Sequence, residues 1–257
     1  MGMARYAELH AHTNFSFLDG ATHPHELVET AAALGYEALA VTDHHGFHGA
    51  VHVATAAADV GLPIVYGTEI GISRTEEADG NPVLAAELSD MLRWEDQKGT
   101  FGPRRGRTMR AHGSKPVDAH DTDHLVLLAA DPDGYSAISK FVSTAQFRGE
   151  KDRPVYTWDD LAECAATGDV VALTGCWQGA VPRAATAGDL DGALAEAARL
   201  RSIFGSRLHV ELWDHRMPED GRRNDLLVEV ADRLSLPVVA TNQVHYADPA
   251  DADLSEV

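Results

Sequence analysis

Two histidines one residue apart, His10 and His12, stand in the short segment ELHAH near the beginning of the chain. Side chains at positions i and i+2 of a β-strand point to the same face, so a strand here would project both imidazoles together. Two imidazoles on one face are a suitable arm for a divalent metal ion. The chain has 14 histidines, so the pair alone is only a weak signal for a metal site.

Further residues of metal-binding types come at the ends of other apolar segments. They are Asp43, His44 and His45 after EALAV, Glu69 in PIVYGTE, Cys176 after VVALTG and His245 after PVVATNQ. In a parallel barrel the carboxyl ends of the strands share one rim, where active sites are built. Each residue alone has an ordinary explanation, such as a surface carboxylate or a small buried thiol. Together they indicate one metal centre at that rim.

Short apolar segments alternate with amphipathic segments over most of the chain. Strands are predicted at 6–11, 37–43, 63–70, 124–130, 170–175, 208–213 and 237–243, and helices at 24–35, 49–61, from about 132, 189–204 and 219–234. This alternation predicts an α/β fold with a parallel sheet covered by helices. Seven such units most simply close into a barrel of the TIM type, and an open doubly wound sheet is the alternative.

Residues 71–123 interrupt the alternation. They are polar and glycine-rich and include the basic cluster RRGRTMR. We expect an insertion in a single domain of residues 1–257. It would be a solvent-exposed loop, a flap over the site or a contact for nucleic acid. The chain stops in HYADPADADLSEV, which reads as the beginning of another helix and predicts that this is a fragment of a longer protein.

The net charge of −19 argues against a surface that wraps nucleic acid by itself, because phosphate binding needs Lys and Arg. Two cysteines do not make a disulfide framework. The sequence has no run of about 18 apolar residues and no secretory signal at its N-terminus. We therefore expect a cytoplasmic protein that does not bind a membrane.

Several segments, in the same order, resemble the PHP domain (polymerase and histidinol phosphatase) at the N-terminus of bacterial C-family DNA polymerases. They include LHAHTNFSFLDGA, ALAVTDHHGFHGAV, PIVYGTEIGI, HLVLLAADPDGY, LTGCWQGAVPRA and LPVVATNQVHYADPADADL. The stretches GEKDRPVYTWDDL and VELWDHRMPEDGRRND are most similar to the error-prone branch. The resemblance implies a distorted seven-stranded barrel, polymerase core domains that follow it in the chain, and DNA as the partner of the full-length polymerase.

The resemblance also implies a set of metal ligands. They are His10, His12, Asp19, His44, Glu69, His124, Cys176 and His245, holding two or three divalent ions of Zn, Mn or Fe. His124 comes from the resemblance alone, because it begins a predicted strand. At a ninth position the family has an aspartate and this chain has Gln243. We expect the first metal, on His10, His12 and Glu69, to bind more weakly or to be lost.

A cluster of two or three such ions can generate hydroxide near neutral pH and hold the oxygens of a phosphoester. The resemblance therefore predicts part of an error-prone DNA-directed DNA polymerase of repair and translesion synthesis. This domain would have phosphoesterase or 3′→5′ exonuclease activity through metals on His10, His12, Glu69 and His124, and Arg183 is a candidate phosphate contact. One alternative is a noncatalytic, metal-stabilised scaffold for the polymerase core. The other is a free-standing phosphatase of the histidinol-phosphatase kind.

Overall fold

One seven-stranded sheet organises the protein, seen in a computed structural model that describes residues 5–74, 122–150 and 153–252. The strands are β1 Ala7–Glu8, β2 Ala38–Val41, β3 Ile64–Ser73, β4 Thr122–Ala129, β5 Val170–Leu173, β6 Leu208–Leu212 and β7 Val238–Ala240. Their order in the sheet is their order in the chain. A bridge between Ala11 and Val244 joins the segments that follow β1 and β7. The distorted α/β barrel is therefore confirmed.

One strand runs in the direction opposite to the prediction. β4 pairs antiparallel with both β3 and β5, whereas the other neighbouring strands pair in parallel. The expectation of a wholly parallel sheet was wrong at this point. Because β4 is reversed, its first residues lie beside the carboxyl end of β3, with His124 opposite Gly71.

The helices cover the outer face of the sheet. They are α1 Pro24–Ala33, α2 Ala50–Val60, α3 Pro132–Arg148, α4 Trp158–Ala166, α5 Ala180–Ala187, α6 Leu190–Phe204 and α7 Asp220–Leu234. Asp131, Thr157 and Asp189 accept backbone hydrogen bonds at the N-termini of α3, α4 and α6. Gly61 ends α2 in the left-handed conformation with φ 72°, which glycine adopts without steric cost. Helices α4 and α5 had not been predicted.

Alternation along the strands separates the apolar core from the polar interior of the barrel. Ile70, Leu125 and Leu127 pack with helical residues in the largest apolar cluster. Leu39 and Ala11 pack in a second cluster with residues of α1 and α2. The intervening positions of the same strands point to the inner face, because successive side chains of a strand alternate. Glu69 and His124 occupy these inner positions. His10 and His12 flank the buried, bridged Ala11 just after β1 and point to the same inner side.

The predicted insertion lies mostly outside the described part of the chain. Residues 71–73 continue β3 and residues 122–123 begin β4, so the interruption is shorter than expected at both ends. Residues 75–121, including the basic cluster, are not among the described residues. Within residues 5–74, 122–150 and 153–252, no helix combines the length and the apolar character needed to cross a membrane.

Candidate metal centre

The carboxylate of Glu69 lies among four imidazoles inside the barrel. Its Oε1 is 3.6 Å from Nε2 of His10 and 3.3 Å from Nδ1 of His124. Its Oε2 is 3.4 Å from Nε2 of His12 and 3.5 Å from Nδ1 of His44. These atoms are of the types that ligate divalent ions. Three groups place one ligand atom per residue within 4.8 Å of one another: His10–His12–Glu69, His12–Asp19–His44 and His44–Glu69–His124.

Asp19 joins the cluster from the loop that follows β1. Its Oδ2 lies 3.0 Å from Nε2 of His44 and 3.8 Å from Nδ1 of His12. Its Oδ1 lies 3.1 Å from Nδ1 of His245. Burial opposes ionisation, but hydrogen bonds from His245 and His44 hold the pKa of Asp19 well below its ordinary value. One carboxylate thus connects imidazoles that come from the ends of β1, β2 and β7.

Cys176 and Arg183 lie on the opposite side, next to the start of β4. The buried Sγ of Cys176 is 3.3 Å from Nδ1 of His124. The guanidinium of Arg183 donates to Oδ1 of Asp123 at 2.6 Å, and Nε of Arg74 donates to the same oxygen at 2.7 Å. The eight residues predicted as ligands are therefore brought together, and Arg183 is ion-paired one residue away from His124.

Gln243 is buried, 5% exposed, with a left-handed φ of 45°. Its neighbours are tied to the segment around β1: Asn242 N donates to the Glu8 carboxylate, and Val244 N donates to the carbonyl oxygen of His10. Residue 243 thus lies where the segment after β7 meets the segment after β1 that carries the paired histidines.

Among the described residues, exposure differs across the cluster, with 11% for the side chain of His124. The side chains of His10 and His12 are 0% exposed and that of Glu69 is 1% exposed. Those of His44 and Asp19 are 23% and 32% exposed, and that of His245 is 24% exposed. The Asp19 side of the cluster is therefore accessible to a small ligand, whereas the imidazoles of His10 and His12 are fully buried.

The pKa values of the buried groups are shifted in different directions. Burial lowers the pKa of His10, but the carboxylates of Glu211 and Glu69 outweigh it and raise this pKa well above its ordinary value. Burial lowers the pKa of His12 well below its ordinary value. For Glu69 burial opposes ionisation, but His124 and His10 hold its pKa well below the usual range. The surrounding imidazoles thus favour the ionised form of the buried Glu69 carboxylate.

The Asp43 side chain hydrogen-bonds the loop after β1 and does not face the candidate metal ligands. Its carboxylate accepts hydrogen bonds from the backbone N and the hydroxyl of Thr13, each at 2.8 Å, and from Oγ of Ser16 at 2.8 Å. Oγ of Ser16 in turn lies 3.2 Å from Nδ1 of His12. His45 points elsewhere, with Nδ1 3.2 Å from the Tyr156 hydroxyl, and burial lowers its pKa to about 3.

Two buried carboxylates behind His10 were not predicted as part of the site. Oε1 of Glu211 lies 2.7 Å from Nδ1 of His10 and accepts from the Thr241 hydroxyl at 2.6 Å. Glu8 accepts from the backbone N of His10 at 2.9 Å and from the Tyr6 hydroxyl at 2.7 Å. The available signal was a glutamate inside each of the apolar segments YAELHA and LHVELW, since a buried charge needs a partner.

Comparisons with known proteins match most of the chain. Residues 8–215 match the PHP domain family. The chain is 39% identical over 253 residues to an error-prone DNA polymerase of Cutibacterium acnes, covering 97% of this chain and 19% of that protein. It is 30% identical over 258 residues to the DNA polymerase III subunit alpha of Treponema pallidum, covering 100% and 19% respectively. It therefore spans about a fifth of the length of these curated relatives.

The fold is also similar to that of a solved structure. A two-domain protein from Bacteroides vulgatus, described as containing a predicted PHP-like metal-dependent phosphoesterase, superposes with a TM-score of 0.50 at 14% identity. The superposition covers 97% of this chain and 55% of that one. At this identity the likeness supports the fold alone. Because the family match runs from the first strand past Glu69, His124 and Cys176, the chain belongs to the PHP domain family.

Proposed function

We propose that this chain is the N-terminal PHP domain of an error-prone DNA polymerase and that its cluster binds divalent metal ions to hydrolyse phosphate esters. The position of Glu69 carries the proposal. Each of its two oxygens faces two imidazoles, at 3.3–3.6 Å, which suits a carboxylate that bridges neighbouring metal ions. Imidazole, carboxylate and thiolate together suit Zn, Mn or Fe.

The contacts support an assignment of ligands to three sites. These are His10, His12 and Glu69; Glu69, His124 and Cys176; and Asp19, His44 and His245. The third set is the most solvent-exposed, so a substrate phosphate would approach there. The first set has Gln243 where the family has an aspartate, so we expect two or three ions.

When bound, the ions would supply hydroxide near neutral pH and would hold the oxygens of a phosphoester. The residues of the chain contribute the rest. The dry pair His10 and His12 holds the inner end of the cluster, and the exposed Asp19 marks the entrance. The guanidinium of Arg183 pairs with Asp123, the residue that precedes His124 in the chain. It would donate to a substrate phosphate once that ion pair opens.

The similarity to polymerases favours the 3′ end of DNA as the substrate, and 3′→5′ exonuclease action as the reaction. The net charge of −19 disfavours tight DNA binding by this domain alone. We therefore propose that the polymerase core, in the part of the relatives that this chain does not cover, presents the DNA. A cytoplasmic location follows from that role.

The test is to incubate the protein with a labelled primer and Mn²⁺ or Zn²⁺. The primer should shorten, and His12→Ala should abolish the shortening. His25→Ala is the matched control, because His25 is exposed on α1 and lies outside the cluster. A primer that stays intact with every metal, also in the presence of the polymerase core, would contradict the nuclease assignment.

A scaffold role is the second candidate, and Gln243 favours it by removing a carboxylate from the first metal site. In that case chelation should lower the melting temperature of the domain while no metal supports primer shortening. A loss of shortening on chelation without a change in melting temperature would instead favour the catalytic role.

A further inference from the structure

Glu211 is a buried carboxylate on the side of His10 that faces away from the cluster. Its Oε1 lies 2.7 Å from Nδ1 of His10, and both side chains are 0% exposed. The opposite ring nitrogen, Nε2, lies 3.2 Å from Nε2 of His12 and 3.6 Å from Oε1 of Glu69. The imidazole is thus held from behind by one carboxylate and directed at the cluster with its other nitrogen.

Neighbouring strands hold Glu211 itself in place. The backbone N of Glu211 donates to the Thr174 hydroxyl at 3.0 Å, and the Thr241 hydroxyl donates to Oε1 at 2.6 Å. The second oxygen, Oε2, is buried and makes no hydrogen bond to any described residue. A buried carboxylate that is satisfied through only one oxygen needs a nearby cation to balance its charge. Among the described residues, the His10 ring is the one group in contact with Glu211 that can carry or bind a positive charge.

We propose that Glu211 is a positioning residue for the first metal site. It keeps the proton of His10 on Nδ1, directs Nε2 at the ion, and supplies negative charge behind a site where Gln243 is neutral. The inference rests on the proposed metal centre. Metal-ligating histidines usually donate their second N–H to such a partner, and losing the partner typically lowers metal affinity about 10–100-fold.

Glu8 provides a matched control, because it is a second buried glutamate next to His10. It is also a glutamate with 0% exposure, and it also contacts His10. It does so through the backbone N of His10, at 2.9 Å, and not through the ring. Glu8→Gln therefore removes a buried charge near the site without releasing the imidazole.

The first experiment counts and titrates metal in the wild type, E211Q and E8Q, using Zn²⁺ and Mn²⁺ followed by calorimetry and elemental analysis. E211Q should bind one ion about 10–100-fold more weakly and leave the other ions unchanged, whereas E8Q should keep the wild-type count. Unchanged binding in E211Q, or an equal loss in both variants, would overturn the proposal. If E211Q does not fold, Thr241→Val, which removes one hydrogen bond to Glu211, should weaken the same ion by a smaller factor.

The second experiment reads the ring itself in metal-free protein, by ¹H–¹⁵N NMR of the histidine side chains with His10→Asn for assignment. A downfield, exchange-protected Nδ1–H resonance of His10 should be present in the wild type and E8Q and should move upfield or vanish in E211Q. An unchanged resonance in E211Q would refute the positioning role. Because no metal is involved, this result separates failure of the inference from failure of the proposed metal centre.

Discussion

Oε1 of Glu69 lies 3.3 Å from Nδ1 of His124, although the two residues belong to strands that run in opposite directions. In the β3–β4 ladder Glu69 is paired with Val126, and His124 is two positions further towards the rim, opposite Gly71. Both side chains occupy the inner face. The start of the reversed strand β4 thus supplies a ligand type where a wholly parallel barrel would use the end of a strand.

Replacing Glu69 by glutamine should affect more than one ion. The substitution keeps the shape of the side chain but removes the charge that four imidazoles surround, so a ligand that neighbouring ions would share is weakened. We expect metal affinity to fall by more than about 100-fold, which exceeds the usual effect of removing a residue that only hydrogen-bonds a metal ligand. Metal content after dialysis measures this. Glu37→Gln, on an exposed ion pair with Arg5, should keep the full content, and an equal content in both variants would refute the bridging role.

The inner positions of β3 and of the extended segment after β1 could be predicted, because local alternation determines them. His10, His12 and Glu69 follow from the strand period and from the apolar residues between them. His124 could not be derived in this way, since the direction of β4 is set by its pairing with β3 and not by its own residues. Glu211 was missed because its partner, His10, is 201 residues away in the chain. Helix α4 could have been predicted from the sequence, because Thr157 is a typical N-capping residue.

Metal binding should release protons near neutral pH. Burial opposes protonation, yet Glu211 and Glu69 raise the pKa of His10, and Asp19 raises the pKa of His44 above the ordinary value of about 6.5. Metal ligation needs neutral imidazoles, so apparent affinity should fall as the pH is lowered. Calorimetry in buffers of different protonation enthalpy would measure the number of protons released.

The same shifts give the metal-free protein the opposite pH dependence. A raised pKa in the folded state contributes stability that is complete below the unfolded value and is lost as the pH rises through the folded value. His12 and His45, whose pKa values are lowered, are neutral in both the folded and the unfolded state once the pH is well above about 6.5, and they add no further change there. In that range the chelated protein should therefore become less stable as the pH rises, while the metal-bound protein becomes more stable. Parallel melting curves that move in the same direction with pH would contradict this assignment of protons.

Gln243→Asp should strengthen the first metal site. The change adds a carboxylate at the buried rim position, and aspartate tolerates the left-handed φ of 45° better than most residues. We expect about tenfold tighter binding of one ion, equivalent to about 1.4 kcal/mol. Asn242→Asp adds the same charge one residue away on an exposed side chain and should have little effect. Equal gains from both variants would indicate a general effect of charge rather than a ligand at residue 243.

Asp43→Ala should destabilise the loop that carries Asp19. The Asp43 side chain is buried and accepts hydrogen bonds from Thr13 and Ser16, so its removal leaves buried donors unpaired. The free energy of unfolding should fall by about 3 kcal/mol, against less than about 1 kcal/mol for Glu229→Ala in an exposed ion pair.

Urea unfolding of the chelated protein isolates this structural cost, because no metal contributes to stability under those conditions. Metal titration of the folded Asp43→Ala protein then tests the coupling to the site. The ion assigned to Asp19, His44 and His245 should be weakened, since Ser16 no longer anchors the loop, while the ion on His124 and Cys176 should be retained. Uniform weakening of all ions would mean that Asp43 supports the whole rim and not this loop alone.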